Sequence, residues 1–111
     1  MDHISAEKLK KDIDARKEIT VVNVMDKESF QDCRIPSSIN IPYKGDMHKA
    51  VEGWDEDSYI VVYCASQECN ASKEAFKKLS AMGFSNVYRY AGGMQEWKEK
   101  GYPTEGACKK G

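Results

Sequence analysis

The segment that most constrains the fold runs from Tyr59 to Ser72, where an apolar run ends in a cysteine and a polar loop leads into a helix-forming stretch. A short run that is apolar throughout is typical of a parallel strand buried on both faces. The pattern therefore predicts that Cys64 lies at the carboxyl end of a strand, just before a helix N-terminus. Open parallel sheets bind ligands at that end. The unpaired amides and the helix dipole there favour a thiolate, the nucleophilic form of cysteine.

The rest of the chain alternates helical and strand patterns. Apolar residues at helical spacing predict helices over about 5–16, 46–52 and 70–82, and a last helix that carries Met94 and Trp97. Ser5 is the predicted N-cap of the first helix, and Gly83 is the predicted end of the third. β-rich runs predict strands over 19–25, 59–63 and 86–90, with a short extended piece at 37–40. This alternation indicates an α/β sandwich with a mostly parallel sheet.

Length and charge limit the function classes that the chain can serve. Its 111 residues predict a single domain over 1–111, with a core at about 4–103 and a flexible tail at 104–111. A net charge of −1 offers no global field for nucleic acid or an anionic membrane, so neither is an expected partner. No apolar stretch approaches the roughly 20 residues of a membrane span. The N-terminus lacks a signal-peptide core, and a cytoplasmic location is expected.

The spacing of the four cysteines, at positions 33, 64, 69 and 108, argues against a metal site. It includes no Cys-x-x-Cys pair, and both histidines are distant in sequence, so no metal and no cofactor are predicted. A reducing cytoplasm would keep structural disulfides open. Cys33 is therefore interpreted as an incidental turn residue and Cys108 as an exposed tail thiol.

Three motifs resemble those of the rhodanese (sulfurtransferase) family, between about Ile4 and Pro103. Phe30 with residues 34–42 is similar to the first signature of that family. Residues 60–64 are similar to the strand that delivers its nucleophilic cysteine, and 83–88, 92–97 and 101–103 are similar to its C-terminal signature. The resemblance implies a rhodanese-like three-layer sandwich with a mostly parallel five-stranded sheet flanked by helices. It also implies a sulfurtransferase that carries sulfur as a persulfide on Cys64.

The chain departs from the family pattern around the expected site. Family members usually have Asp-Val-Arg where residues 23–25 read Asn-Val-Met, and Gly-His where residues 33–34 read Cys-Arg. Their loop is usually Cys-x-x-Gly-x-Arg-Ser, whereas here Gln67 replaces the glycine and Cys69 the arginine, in a loop about two residues longer. Arg34 is the candidate cation of the first signature. Ser72 is expected to support the loop rather than to act as a nucleophile.

The loop itself is the predicted substrate-binding segment. Backbone amides of residues 65–70 can surround the Cys64 sulfur, because amides do not depend on side-chain identity. The substrate-binding residues are therefore Ala65, Ser66, Gln67, Glu68 and Asn70. The loop contains no cation, and Glu68 repels a dianion such as thiosulfate. We expect weak activity toward thiosulfate and a neutral, polysulfide or protein-borne sulfur donor, with a thiol as acceptor.

Cys64 and Cys69 are the predicted catalytic residues, and the role of Cys69 stays open at this point. It attacks the Cys64 persulfide and forms a disulfide, or it acts as a second carrier or redox switch, or it has no role. Two other functions also remain: a thiol redox protein that uses Cys64 and Cys69, and a non-catalytic binding module. Phosphatase chemistry, which related folds perform with a Cys-x5-Arg loop, is disfavoured because the loop has no arginine.

Overall fold

Four parallel strands form one sheet in the order β2–β1–β3–β4. The structure is a computed structural model that describes residues 2–108. The strands are β1 Thr20–Asn23, β2 Ile39–Asn40, β3 Ile60–Tyr63 and β4 Val87–Tyr90. The helices are α1 Ala6–Asp14, α2 Lys27–Asp32, α3 Met47–Ala50, α4 Ala71–Ala81 and α5 Gly93–Glu99.

The central strand β3 divides its side chains between two hydrophobic layers. Val61 and Tyr63 pack with residues of α1 and α5, whereas Ile60, Val62 and Cys64 pack with residues of α3 and α4. All four residues of β3 are fully buried, as a strand covered by helices on both faces must be. The architecture is thus the predicted α/β three-layer sandwich with a parallel sheet.

The sheet has four strands where five were expected. At the position of a fifth strand, the N-terminal segment makes only an isolated parallel bridge between His3 and Arg89. Two backbone hydrogen bonds support it, from the Arg89 amide to the Asp2 carbonyl at 2.8 Å and from the Ile4 amide to the Arg89 carbonyl at 3.1 Å. The helix that begins at Ala6, capped by the Ser5 side chain, ends this extended segment before a ladder can form.

Helix ends follow local chemistry. Ser5 accepts a hydrogen bond from the Lys8 amide, as an N-cap does, and Gly83 with φ +102° follows the end of α4.

Helix α2 has no counterpart among the predicted elements, because none of its residues is buried and it shows no apolar periodicity. Only the Asp26 cap, which accepts from the Ser29 amide at 2.8 Å, marks its start. Within residues 2–108, no helix has the length and apolarity that crossing a membrane requires.

The segment after Pro103 is attached to the domain as far as Cys108. Glu105 and Arg34 form an antiparallel bridge, and Cys108 is joined to Cys33 by a disulfide with a Cα–Cα distance of 4.5 Å. Cys33 is 6% exposed. The interpretation of Cys33 as incidental and Cys108 as a free tail thiol was therefore wrong, because the backbone pairing of 34 with 105 brings the two thiols together. Residues 109–111, the rest of the expected flexible tail, lie outside the described residues.

Candidate functional site

Cys64 lies where the sequence predicted, at the carboxyl end of β3 and ahead of α4. Cys64 is only 2% exposed. A disulfide joins it to Cys69, and the two Cα atoms are 6.3 Å apart. That separation is within the roughly 7 Å that a disulfide allows. Whether these two thiols bond was left open by the sequence; in the structure the loop turns back on itself and presents the second thiol to the first.

The turn of the loop and its exposure decide which groups can meet a substrate. The Cys69 amide donates to the Ser66 carbonyl at 3.1 Å, so this amide closes the turn and is not free to surround the Cys64 sulfur. The predicted substrate-binding residues Ala65, Gln67, Glu68 and Asn70 are exposed, and Ser66 is half-buried. Asn70 caps α4 by position but makes no side-chain capping bond.

Helix α5 holds the start of the loop from the other side. The Met94 amide donates to the Cys64 carbonyl at 3.0 Å, and the Gln95 amide donates to the Ala65 carbonyl at 2.8 Å. Gly93 is buried with φ +63°, and a Cβ at this position would collide with the Cys64 carbonyl oxygen and with the backbone of Ala65. The glycine pair at 92–93 thus forms the turn between β4 and α5, and its second member lets α5 approach the loop.

The hydroxyl of Tyr63 fixes the first-signature turn beneath the site. It accepts hydrogen bonds from the Ile35 amide at 3.0 Å and the Asn23 side-chain amide at 3.1 Å. It lies 2.9 Å from Ser38 Oγ, which in turn donates to the Ile35 carbonyl at 2.6 Å. With two donors already aimed at it, the Tyr63 hydroxyl gives its own proton to Ser38. The Asn23 side-chain amide donates one of these hydrogen bonds, whereas an ionised aspartate at position 23 would have no proton to donate.

A cleft beside the loop is acidic. A cleft of about 280 Å³ between the loop and α5 is lined by Gln67, Glu68, Gly92, Gln95, Glu96 and Glu99. Tyr90 donates its hydroxyl proton to Glu96 at 2.9 Å. Burial, together with this bond and the nearby carboxylate charge, raises the Tyr90 pKa above its ordinary value. Three acidic side chains, those of Glu68, Glu96 and Glu99, thus line the cleft.

A second cavity, of about 380 Å³, touches the loop at Ala65 and is chemically mixed. Its lining residues are Met25, Ser29, Asp32, Cys33, Ala65, Met94, Gln95 and Lys98. It carries one acid and one base rather than several acids. The cavity also borders Cys33, one end of the Cys33–Cys108 disulfide.

The cation proposed from the first signature does not serve the loop in the structure. Arg34 lies over the Phe30 ring at 5.1 Å, and its Nη1 lies 3.4 Å from the Phe30 carbonyl, which accepts a hydrogen bond from it. Its Nε lies 3.6 Å from the Glu105 carboxylate. Its charge is therefore already paired with the C-terminal segment.

Arg89 is the site residue that sequence reasoning missed. It is 9% exposed, and it donates from Nε to Ser72 Oγ at 2.9 Å and from Nη2 to the Cys69 carbonyl at 3.4 Å. Ser72 supports the loop, as predicted, but through this arginine. The sequence does contain a signal. Arg89 lies among apolar residues in a predicted strand, and a charged residue on a buried strand face needs a polar partner.

The chain is similar to a known protein family and to several known proteins. The family model for the rhodanese-like domain matches residues 5–100. The thiosulfate sulfurtransferase GlpE of Pseudomonas savastanoi pv. phaseolicola is 34% identical over 88 residues, which cover 77% of this chain and 76% of that protein. The putative sulfur carrier protein YrkF of Bacillus subtilis is 27% identical over 97 residues, or 87% of this chain. The chain spans about half the length of that relative, 51%.

Solved structures agree with the fold described above. The crystal structure of the BH2092 protein from Bacillus halodurans superposes with a TM-score of 0.89 at 28% identity, over 96% of this chain and 78% of that one. The solution structure of the rhodanese-like domain of the Anabaena protein Alr3790 gives 0.86 at 26% identity, over 99% of this chain and 83% of that one. With the parallel sheet, the cysteine at the end of β3 and a family model matched over residues 5–100, the chain belongs to the rhodanese-like domain family.

Proposed function

We propose that the protein is a sulfurtransferase in which Cys64 accepts a sulfane sulfur as a persulfide and Cys69 discharges it. The observation that carries the proposal is the pairing of Cys64 with Cys69 inside one loop, at the carboxyl end of β3. Relatives named as a thiosulfate sulfurtransferase and a putative sulfur carrier support sulfur transfer as the reaction class. Fold alone does not determine function, so the two thiols are the basis of the argument.

The first step loads the carrier. The Cys64 thiolate attacks the outer sulfur of a donor R–S–S⁻, the donor S–S bond breaks, and R–S⁻ leaves. The product is Cys64–S–S⁻, an anion that the N-terminus of the eleven-residue helix α4 favours. No net oxidation of the protein occurs, because the sulfur is transferred at its existing oxidation level.

The second step releases sulfide. The Cys69 thiolate attacks Cys64 Sγ of the persulfide, the S–S bond breaks, and HS⁻ departs after taking up a proton. The two cysteines are left as the disulfide seen in the structure. A second dithiol must then reduce this disulfide, giving up two electrons and becoming a disulfide itself. Because the cytoplasm maintains such thiol reductants, we propose that compartment as the location.

The acidic cleft beside the loop favours a donor other than thiosulfate. Glu68, Glu96 and Glu99 line the cleft beside the loop, and a thiosulfate dianion entering there meets like charge. A neutral donor, a singly charged polysulfide or a persulfide on a partner protein meets less of this repulsion than a dianion does. We therefore propose a small-molecule or protein-bound sulfane sulfur as donor and a thiol as acceptor, with Ala65, Ser66, Gln67, Glu68 and Asn70 around the bound group.

Intact-mass measurement tests the mechanism on pre-reduced protein mixed with inorganic polysulfide. Wild type should release sulfide and return to the disulfide, about two mass units lighter than the reduced form. Cys69→Ser should instead accumulate a persulfide about 32 mass units heavier, until an external thiol is added. The intramolecular attack should outrun external thiols because both groups belong to one loop.

Two controls separate the proposal from thiol–disulfide exchange, the second candidate that the Cys64–Cys69 pair favours. Cys64→Ser should neither gain the sulfur nor release sulfide, whereas Cys33→Ala/Cys108→Ala should behave as wild type. A redox protein without sulfur transfer would oxidise to the disulfide while Cys69→Ser gained no persulfide. Equal persulfide lifetimes in wild type and Cys69→Ser would contradict the role of Cys69.

A further inference from the structure

Among the residues that the structure describes, Arg89 is a buried charge without a charged partner. Its two side-chain hydrogen bonds go to neutral oxygens, those of Ser72 and of the Cys69 backbone. Within residues 2–108, none of the ion pairs involves it. A buried guanidinium normally pairs with a carboxylate, because an uncompensated charge at low dielectric is costly. Some other anion is needed at this position.

The strand register brings this charge to the reacting sulfurs. Arg89 lies beside Val62 in the β3–β4 ladder, two residues before Cys64 along a strand whose side chains alternate between faces. Val62 and Cys64 share the hydrophobic layer beneath α4, which also contains Val87 of β4. Arg89 therefore extends on the same face as Cys64, and its Nη2 contacts the residue to which Cys64 is bonded.

We infer that Arg89 is the cation of this site and that it pairs with the Cys64 thiolate or persulfide. The inference rests on the proposed function, but it concerns only the stabilisation of an anionic Cys64 by Arg89, which can be measured without a sulfur donor. The family resemblance expects this charge to come from within the loop, where this chain has none. Here the adjacent strand supplies it from below, while the solvent side of the loop stays acidic.

The other ionisable groups around the loop are poorly placed for this task. Glu68 of the loop, Lys73 and Glu74 of α4, and His48 and Lys49 of α3 are all exposed, so solvent screens them. His3, beside Arg89, is exposed as well. Glu96 is half-buried, but its carboxylate is engaged by Tyr90. Arg89 alone among these charged residues combines burial with contact to the cysteine loop.

The test measures the Cys64 pKa from the pH dependence of iodoacetamide alkylation in a Cys69→Ser background, with the modified residue mapped by peptide mass. With Arg89 present, Cys64 should titrate below the free-thiol value of about 8.5. Arg89→Gln should raise that pKa by about one unit, the lower end of the effect of a nearby opposite charge, and Arg89→Lys should restore at least half of the shift. Arg34→Gln is the matched control, because that arginine is already paired with Glu105, and it should move the pKa by less than about 0.3 unit.

The disulfide equilibrium provides a second measure in protein that keeps Cys69. A dithiol reductant breaks the Cys64–Cys69 bond and becomes a disulfide itself. One of its two protons goes to Cys69 and the other to solvent, because Cys64 is left as a thiolate above its pKa. Arg89 stabilises that reduced form. At about pH 9, where Cys64 is largely ionised, Arg89→Gln should therefore favour the disulfide by up to about tenfold, which is about 30 mV.

Several outcomes would overturn the inference. A wild-type Cys64 pKa at or above about 8.5 would do so even if the Arg89 variants failed to fold. An unchanged Cys64 pKa in a normally folded Arg89→Gln variant would do so too. If Arg89→Lys raised the pKa as much as Arg89→Gln, hydrogen bonding rather than charge would be at work, and the inference would fail. No sulfur donor is present in these measurements, so their failure is distinct from failure of the sulfur-transfer proposal.

Discussion

At the scale of single residues, opposite faces of the cysteine loop carry opposite charge. Below the loop, the Arg89 guanidinium contacts the Cys69 carbonyl. Above it, Glu68 and two glutamates of the α5 region line an open cleft. A buried cation stabilises an anion that forms on the protein, whereas exposed acids raise the cost for an anion that arrives from solution. If the proposals above hold, this arrangement should favour a thiolate on Cys64 and disfavour a dianionic substrate.

Replacing Glu68 by Lys should improve the KM for thiosulfate more than kcat. The new cation attracts the dianion in the ground state and the transition state alike, and such uniform binding lowers KM. We expect a several-fold lower KM, measured by sulfite release with cyanide as acceptor. Glu18→Lys is the matched control, since Glu18 is exposed and lies just before the amino end of β1, whereas the cysteine loop follows the carboxyl end of the parallel strand β3. A micromolar KM in the native protein would show that the acidic cleft does not govern thiosulfate entry.

Residue roles could be predicted where they depend on neighbours in sequence. Cys64 was placed correctly because strand, loop and helix follow one another along the chain. Arg89 was not found, because its importance comes from a parallel ladder that joins residues 62 and 89. Cys108 was misjudged for a similar reason: its partner Cys33 is 75 residues away, and only the pairing of 34 with 105 brings them together.

At the scale of elements, helix α5 acts as a support for the loop. Its amides at 94 and 95 donate to the carbonyls of Cys64 and Ala65, which fixes the backbone from which the Cys64 side chain projects. Strand and helix positions were predictable because buried apolar runs and helical periodicity are local signals. Helix α2 and the shortened fifth strand were not, since the first buries no residue and the second is a single bridge.

Gly93→Ala should destabilise the protein by about 2–4 kcal/mol, because a Cβ would meet the Cys64–Ala65 backbone in addition to the cost of a left-handed conformation. Gly101→Ala is a matched control just beyond the other end of α5, with φ +70° and no atom within 4 Å of the place that a Cβ would occupy. It should cost only about 1–2 kcal/mol. Urea unfolding of both variants measures the difference. Equal losses would mean that the close approach of α5 to the loop contributes nothing to stability.

At the scale of the whole molecule, the two disulfides close loops of very different size. Cys33–Cys108 spans 75 residues and ties the C-terminal segment to the first-signature turn, whereas Cys64–Cys69 spans five. A cross-link stabilises a protein largely by restricting the unfolded chain, and the restriction grows with the length of the loop. The long-range bond is therefore suited to holding the fold, and the short one can open during chemistry at little cost to stability.

The long-range bond should stabilise the fold more than the short one. Chain entropy predicts about 4–5 kcal/mol for a loop of this length and about 2 kcal/mol for the short loop. Cys64→Ala/Cys69→Ala keeps only the first bond and Cys33→Ala/Cys108→Ala only the second. The difference in Tm between the oxidised and reduced forms of each variant isolates its cross-link, because the cost of the substitutions cancels. We expect the first difference to exceed the second by about 10 °C or more. Equal differences would contradict the loop-length argument, because restriction of the unfolded chain alone makes the long-range bond worth about twice as much as the short one.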